Sequence, residues 1–543
     1  MTQSVVSRTA PAPLARRLLA GALLALLLAA TAPLSALADE VLRRGNGVDP
    51  ETLDPQRATG IQAGHILYDL CEGLLAHDGK GGFIPGVAER WEVDADRLTY
   101  RFTLRPTARW SDGSPVAAED FVAAWRRLLA PETGAFYADY LHPLRNAREI
   151  LAGRMPPESL GVSAPRPDLL EVTLEGPLPH FLKMLAHHTT CPVHRASLAR
   201  HGAEFARVGT MVSNGAYRLV EAVPQSHVRL EANPFFHDAA SVAIKAVEFV
   251  ATENLEAELR RFRAGDLHVT FDIPVSQMDW LRGNLADSIR LAPQNGVYFY
   301  VVNLEREPWR SEPRLVQALS LAIDRAAITE KILQQGQEPA HSFVPPTMPG
   351  HRPATPDHAA WTQAQREERA RQLLAEAGYG PGGKALDLEI FYNTSENHRR
   401  IAIAIAAMLK RVLGLSVTLT NQEWKVFLDR RSRGDFDSLA RHGFTADYPD
   451  PSSLLNNLAS WAGPANPSKY ASPAYDALIR RVDRLEGEAR AAVFQEAEAL
   501  VLAEGGVIPL YFYVSRHLVS PRIDGWTDNP LDIHPTRFIR FRD

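Results

Sequence analysis

The stretch "LDLEIFYNTSENHRRIAIAIAAMLKRVLGLSVTLT", residues 386–420, reads as strand, helix, strand. "LDLEIFYN" ends near Asn393, "RRIAIAIAAMLKRVLG" ends at Gly414, and "LSVTLT" follows. That is one βαβ unit, so this part of the chain is expected to hold a mostly parallel sheet. Upstream, "REERARQLLAEAG" forms a helical pattern with Gly378 where a helix C-cap belongs. "RLVQALSLAIDRAAITEKIL", from Arg314, repeats apolar residues at helical spacing. "VYFYVVNL", Val297 to Leu304, is a continuous aromatic and β-branched run and reads as a buried strand. "RLTYRFTLR" alternates from Leu98 to Arg105 as a half-buried strand does, "DLLEVTLEG" and "HVRLEAN" are further strands, and "DFVAAWRRLL" from Asp120 is helical. Residues 345–356, "PPTMPGHRPATP", read as a surface loop. The class is α/β, without repeats or low-complexity tracts.

The N-terminus has the order of an export signal. Arg8, Arg16 and Arg17 precede an apolar run from Leu18 to Ala30, and Ala36-Leu37-Ala38 supplies a small-x-small cleavage site before Asp39. The run is shorter than the ~20 apolar residues that span a bilayer. No Cys follows it, so a lipid anchor has no attachment atom. Cleavage after Ala38 would leave a free periplasmic protein of 505 residues with a formal charge of −8. That acidic balance lacks the basic stripe a nucleic-acid partner needs. Cys71 and Cys191, the only two cysteines, can form one disulfide in an oxidising compartment or stand as two small buried hydrophobes.

Enzyme motifs fall short. "GYGPGGKA", residues 378–385, lacks the Ser or Thr after Lys384 that a phosphate-binding loop needs, and follows a helix instead of a strand. "HHTTCPVH", residues 187–194, clusters metal-ligand types without a standard spacing, so a polar loop around a buried Cys is preferred and no metal or other cofactor is assigned. G-x-S-x-G, H-E-x-x-H and C-x-x-C are absent from the sequence.

Nine stretches, in order from about residue 45 to the C-terminus, resemble the extracellular solute-binding proteins of family 5, which serve peptide ABC importers. They are "LYDLCEGLLAHD", "PGVAERWEV", "WSDGSPVAAEDFVAAWRRL", "VSNGAYRL", "ALSLAIDR", "LLAEAGY", "FYNTSENHRRIAIA", "TNQEWKVFLDRR" and "ADYPDPSSLLN". The resemblance implies a three-lobed, periplasmic-binding-protein-like fold (type II, cluster C), with two ligand-enclosing lobes and one extra domain. Domain I would comprise residues 39–61, 192–295 and 511–543, domain II 62–191, and domain III 296–510. Short peptides would lie between domains I and III of a monomer that serves an inner-membrane ABC permease complex. Murein peptide, heme or nickel are alternative ligands within the family. A secreted hydrolase is the reading outside it.

The resemblance also implies a site. A buried peptide needs partners for its ammonium, its carboxylate and its backbone groups. Asp447, in "FTADYPDP", matches the family's ammonium-binding Asp; on its own, an Asp here can equally start the turn before Pro449. Arg441 and His398 match residues that receive a peptide carboxylate. Asp49, in "NGVDPETLDP", stands where a family Glu supplies negative charge. Tyr137 and Trp424 match pocket-lining aromatics; Phe444 replaces a family Trp, and Gly443 precedes it. Backbone pairing in the manner of an added strand would make such binding tolerant of side chains.

Overall fold

The strand–helix–strand stretch folds as one parallel unit. In the structure, a computed structural model describing residues 1–4, 41–380 and 382–542, strands of a six-stranded sheet are β1 (Ile289–Val302), β2 (Glu338–Pro339), β3 (Asp387–Asn393), β4 (Ser416–Gln422), β5 (Leu439–Thr445) and β6 (Val507–Leu518). The order is β2-β6-β1-β5-β3-β4. Helix Glu396–Leu413 joins β3 to β4; the Ser395 hydroxyl caps its first turn, and Gly414, at φ +70°, ends it. Its buried stripe is Ile401, Ala402, Ile405, Leu409 and Val412.

The expectation of a mostly parallel sheet is corrected. β3 pairs in parallel with β4 and β5, but β1 runs antiparallel to β5 and β6, and β2 antiparallel to β6. The cause is length: β1 and β6 are 14 and 12 residues long and cross between cores as a return pair. Ile289 and Leu291 at the start of β1 pack on the core around Leu259, Leu267 and Leu281, whereas Val297 to Val302 lie in the cores on the two faces of the six-stranded sheet. The β1–β6 register slips between Pro293 and Val297 and again between Tyr298 and Phe299. Bulges of this kind bend and twist a strand pair.

Two further sheets carry their own cores. One orders Leu42–Gly47, Ala246–Ala251, His227–Ala232 and Tyr217–Val223, with its first pair parallel. The other is antiparallel, in the order Ala88–Val93, Thr99–Leu104, Leu169–Thr173 and Val162–Arg166, and packs on Phe121, Trp125 and Phe181. Both belong with the six-stranded sheet to one unit, residues 41–543. Cys71 and Cys191 form a disulfide, which ties the end of helix Ile61–Leu70 to the turn at His188–Thr190.

Two local expectations change. The helix read from Arg314 stops at Ala322 and restarts at Arg325. Asp324 caps the new turn, and buried Arg325 donates to the carbonyls of Ser320, Ala340 and Pro509. The break accompanies this cluster, in which one guanidinium meets a carbonyl of the preceding helix and two from other segments. The loop at 345–356 is not simply superficial: Glu498, wholly buried, accepts from the backbone N–H groups of Phe343, Val344 and Ala354 and pairs with His351. The export signal and its cleavage site lie outside the described residues. Among the described residues no helix is long and apolar enough to cross a membrane.

Candidate functional site

β5 alternates, so Arg441, Gly443 and Thr445 share one face and His442 and Phe444 the other. The pairing with β1 sets Tyr300 opposite Arg441, Tyr298 opposite Gly443 and Gly296 opposite Thr445. Tyr298 is stacked with Tyr511 on one side, 4.7 Å between ring centroids, and with His398 at 5.4 Å. Tyr513 crosses this face edge-on to both Tyr298 and Tyr511. Gly443 gives it room: a Cβ there would stand 2.0 Å from the Tyr513 hydroxyl. On the other face, Phe444 packs against His442 and Phe299.

Arg441 is buried, and its Nε donates to Asn393 Oδ1 at 2.7 Å. Its guanidinium lies over the rings of Trp424 and Phe427, at 5.3 and 5.4 Å. Arg431, also buried, lies over Phe427 at 5.2 Å, and its Nε has no partner. Neither guanidinium has a carboxylate partner among the described residues. Burial, and then the charge of Arg441, bring Arg431 down to about 9. Burial, then Arg441 and Arg516, keep the His398 ring neutral, and its Nδ1 has no partner. This end of the site is a set of desolvated cations without anions, which costs free energy until an anion arrives.

Asp447 follows β5, and its environment is the opposite. Its backbone N–H donates to Ser453 Oγ at 2.8 Å. Its carboxylate lies 3.6 Å from His187 Nε2 and has no Lys or Arg partner among the described residues. The Nδ1 of His187 accepts from Thr189 N–H, so the neutral ring turns its Nε2–H toward Asp447. Burial, followed by His188 and His77, holds His187 neutral. Burial, and then the charge of Asp139, push the Asp447 carboxyl up to about 7. Its charge is felt at the hydroxyls of Tyr68, Tyr137 and Tyr140. Tyr137 stands edge-on to His187 at 5.2 Å and to Tyr140 at 6.0 Å. A cation entering beside such an acid favours its ionised form.

The structure therefore gathers Arg441, His398 and Trp424 at one end and Asp447 and Tyr137 at the other. Asp49 stands apart: its Oδ2 accepts from the Gln225 N–H at 2.7 Å, in a hairpin turn of the sheet that contains Leu42–Gly47. Glu51, two residues on, is the acid whose charge reaches Tyr137 and His188. Its Oε1 also accepts from the Gly60 N–H at 2.9 Å. Sequence reading passed over Glu51, although it lies in the same "NGVDPETLDP" stretch. It passed over Arg431 too, whose signal is the helical spacing Trp424, Phe427, Arg431.

Metal-ligand side chains come together elsewhere. Among the described residues His517, Asp532 and His534 place ligand atoms within 4.8 Å of one another. Asp532 Oδ1 contacts His517 Nε2 at 3.0 Å and His534 Nε2 at 2.9 Å, and His517 Nδ1 donates to the Thr270 carbonyl. Those hydrogen bonds account for the cluster. Of the "HHTTCPVH" stretch, Cys191 is in the disulfide and His194 caps helix Arg195–His201.

Residues 82–466 match the sequence model of the bacterial extracellular solute-binding proteins, family 5 Middle. The periplasmic oligopeptide-binding protein OppA of Salmonella typhimurium is 37% identical over 530 residues, 95% of this chain and 97% of that protein. Haemophilus influenzae OppA in complex with the peptide RPPGFSPFR superposes with a TM-score of 0.88 at 34% identity, covering 93% of this chain and 99% of that one. The Escherichia coli murein tripeptide-binding protein MppA is 35% identical and gives a TM-score of 0.89, over 93% of this chain and 99% of that one. The unliganded open form of MppA gives 0.69, with 93% and 98% covered.

Proposed function

This chain belongs to the bacterial extracellular solute-binding proteins of family 5, and from that premise we propose that it captures short peptides in the periplasm for an ABC import permease. The observation that carries the reading is Asp447, a largely enclosed carboxylate with no Lys or Arg partner among the described residues. A peptide ammonium supplies that cation, and a charge-assisted bond to it selects for a free N-terminus. At the other end Arg441, helped by Arg431 and His398, receives the carboxylate. Tyr137 and Trp424 offer ring area to side chains without demanding one identity. The relatives that carry this family's name are substrate-binding proteins, so the reading is a receptor and not an enzyme.

Residues 39–61, 192–295 and 511–543 would move as one lobe with residues 62–191, against 296–510. The bulged middle of β1 and β6 is the hinge this reading requires. Export by the Leu18–Ala30 run and cleavage after Ala38 would deliver the protein to the periplasm.

The test is native mass spectrometry of the purified protein after incubation with a mixture of di- to pentapeptides. Intact peptides held in stoichiometric complexes are expected. Fragments, or no bound peptide of any length, would overturn the reading.

A further inference from the structure

A buried ring of hydrogen bonds joins two of the sheets beside the Asp447 pocket. His180 lies between Leu178 and Phe181, both in the core of the sheet containing Thr99–Leu104. Asp450 and Ser452 lie just beyond β5, and Arg490 is on helix Gly487–Ala503, which packs on the six-stranded sheet. Arg490 forms a bidentate pair with Asp450, at 2.7 and 2.8 Å. Its Nη2 also donates to His180 Nδ1 at 3.0 Å. Ser452 Oγ lies 3.1 Å from His180 Nε2 and 2.7 Å from Asp450 Oδ1. The Tyr448 ring is stacked on His180 at 5.3 Å and belongs to the same core.

The chemistry leaves one assignment of protons. A guanidinium cannot accept a hydrogen bond, so His180 Nδ1 presents its lone pair to Arg490. The ring is then neutral, with its proton on Nε2, and donates to Ser452 Oγ. Ser452 in turn donates to Asp450. A second proton on the ring would point at the guanidinium and break the circuit.

We propose that His180 is a positioning residue, a latch that fastens the Asp447–Ser453 segment to the neighbouring sheet in the closed protein and lets go in acid. The proposal rests on the peptide-binding reading of the Asp447 pocket. Neighbouring contacts run across the same boundary: Lys183 Nζ donates to the Pro449 carbonyl, His187 faces Asp447, and Arg148 lies over Trp461. Because Ser453 holds the Asp447 N–H, fastening this turn fixes where the carboxylate points.

The groups facing His180 are Asp450, Arg490, Lys183 on its own turn, His142 and the Tyr448 ring. Burial lowers its pKa to about 4; Asp450 opposes this, while Arg490 and Lys183 add to it. Opening exposes the ring and returns it toward ~6.5. The closed form thus binds fewer protons, so closure is fully favoured above about 6.5. It is lost as pH falls toward 4, by up to about tenfold per pH unit.

The experiment measures the Kd of trialanine by calorimetry from pH 7.5 to 4.5, for wild type and His180→Gln. It also measures amide hydrogen exchange of residues 450–453 in the free protein at pH 7.5 and 5.0, corrected for intrinsic rates. Wild type is expected to lose about tenfold in affinity per pH unit below ~6.5, with loss of protection at pH 5.0. In His180→Gln, which keeps a donor toward Ser452 but cannot titrate, the tenfold-per-unit part of the slope that His180 contributes and the loss of protection disappear, and only the part due to Asp447 remains. Any contribution from Asp447 is common to both proteins and cancels in the comparison. Equal pH profiles in the two proteins would overturn the latch. If trialanine fails to bind wild type even at pH 7.5, the exchange measurement alone decides the latch, and the peptide reading rests on the peptide-mixture experiment. Should His180→Gln not fold, His180→Asn, which offers an oxygen toward Arg490, is read the same way.

Discussion

Asp447 is the residue on which the site turns, because its environment makes sense only with a cation added. No Lys or Arg among the described residues pairs with it, and the histidine beside it is held neutral. Asp447→Asn keeps the volume and one acceptor oxygen but removes the charge. An ammonium buried without its counter-charge costs roughly 3–5 kcal/mol, or about two to three and a half decades in Kd. N-acetylated tripeptide already lacks the ammonium, so it should bind wild type poorly and lose little more in the variant. Calorimetry of both proteins with both ligands gives the coupling; a coupling near zero would separate Asp447 from the N-terminus. The motif "ADYPDP" pointed to this residue only through the family resemblance, since by itself the Asp can equally start the turn before Pro449. Glu51 and Arg431 were less legible: their importance arises from rings and charges contributed by distant segments, Tyr137 to the one and Arg441 to the other. That Gly443 also makes room for Tyr513 was not legible, since the two are seventy residues apart.

At the scale of single elements, periodicity located strands and helices well and failed where a buried polar group set the backbone. The run from Arg314 has unbroken helical spacing, yet it breaks before Arg325, whose buried guanidinium donates to Ser320 in the preceding helix and to Ala340 and Pro509 in other segments. The loop at 345–356 has the composition of a surface segment, yet Glu498 holds it through His351 and the Ala354 N–H, and holds the residues just before it through the N–H groups of Phe343 and Val344. Glu498→Ala should therefore destabilise the fold by about 1–3 kcal/mol for each buried donor left without a partner. Urea unfolding followed by tryptophan fluorescence measures it; a change under 1 kcal/mol would mean that water replaces the carboxylate. The pairing of Cys71 with Cys191 was undecidable from two cysteines 120 residues apart. A cross-link closing a loop of that length restricts the unfolded chain by roughly 4–5 kcal/mol in the chain-entropy account. Cys71→Ala/Cys191→Ala should shift the unfolding midpoint downward accordingly, and midpoints that coincide with oxidised wild type would show that the loop is already constrained without the bond.

For the whole molecule, the informative feature is the pair of long strands shared between cores. β1 and β6 give the six-stranded sheet its antiparallel half, which the βαβ signal could not reveal because it reports only on β3 and β4. Their register slips at Pro293–Val297 and Tyr298–Phe299, where the pair leaves one core and enters the next. In the hinge reading, a rotation about that point would separate the six-stranded sheet from the other two and part Tyr448 from the core it shares with Phe181. The superpositions agree with two such arrangements in the family, since one relative matches at 0.89 and its unliganded open form at 0.69. A ligand that contacts both sides stabilises only the arrangement in which both sides meet, so it must shift the population toward closure. Trialanine is therefore expected to lower the radius of gyration in small-angle scattering and to sharpen the scattering profile toward that of the closed structure. The same ligand at 100-fold excess over Kd adds about 2.7 kcal/mol to the stability of the form it binds, which raises the melting temperature. The two measurements separate the possibilities. A raised melting temperature with an unchanged radius would mean a peptide bound to a rigid body, and the hinge assigned to β1 and β6 would have to be abandoned. A changed radius that Asp447→Asn abolishes, at peptide concentrations that saturate wild type, would tie the motion of the whole molecule to the charge of one carboxylate.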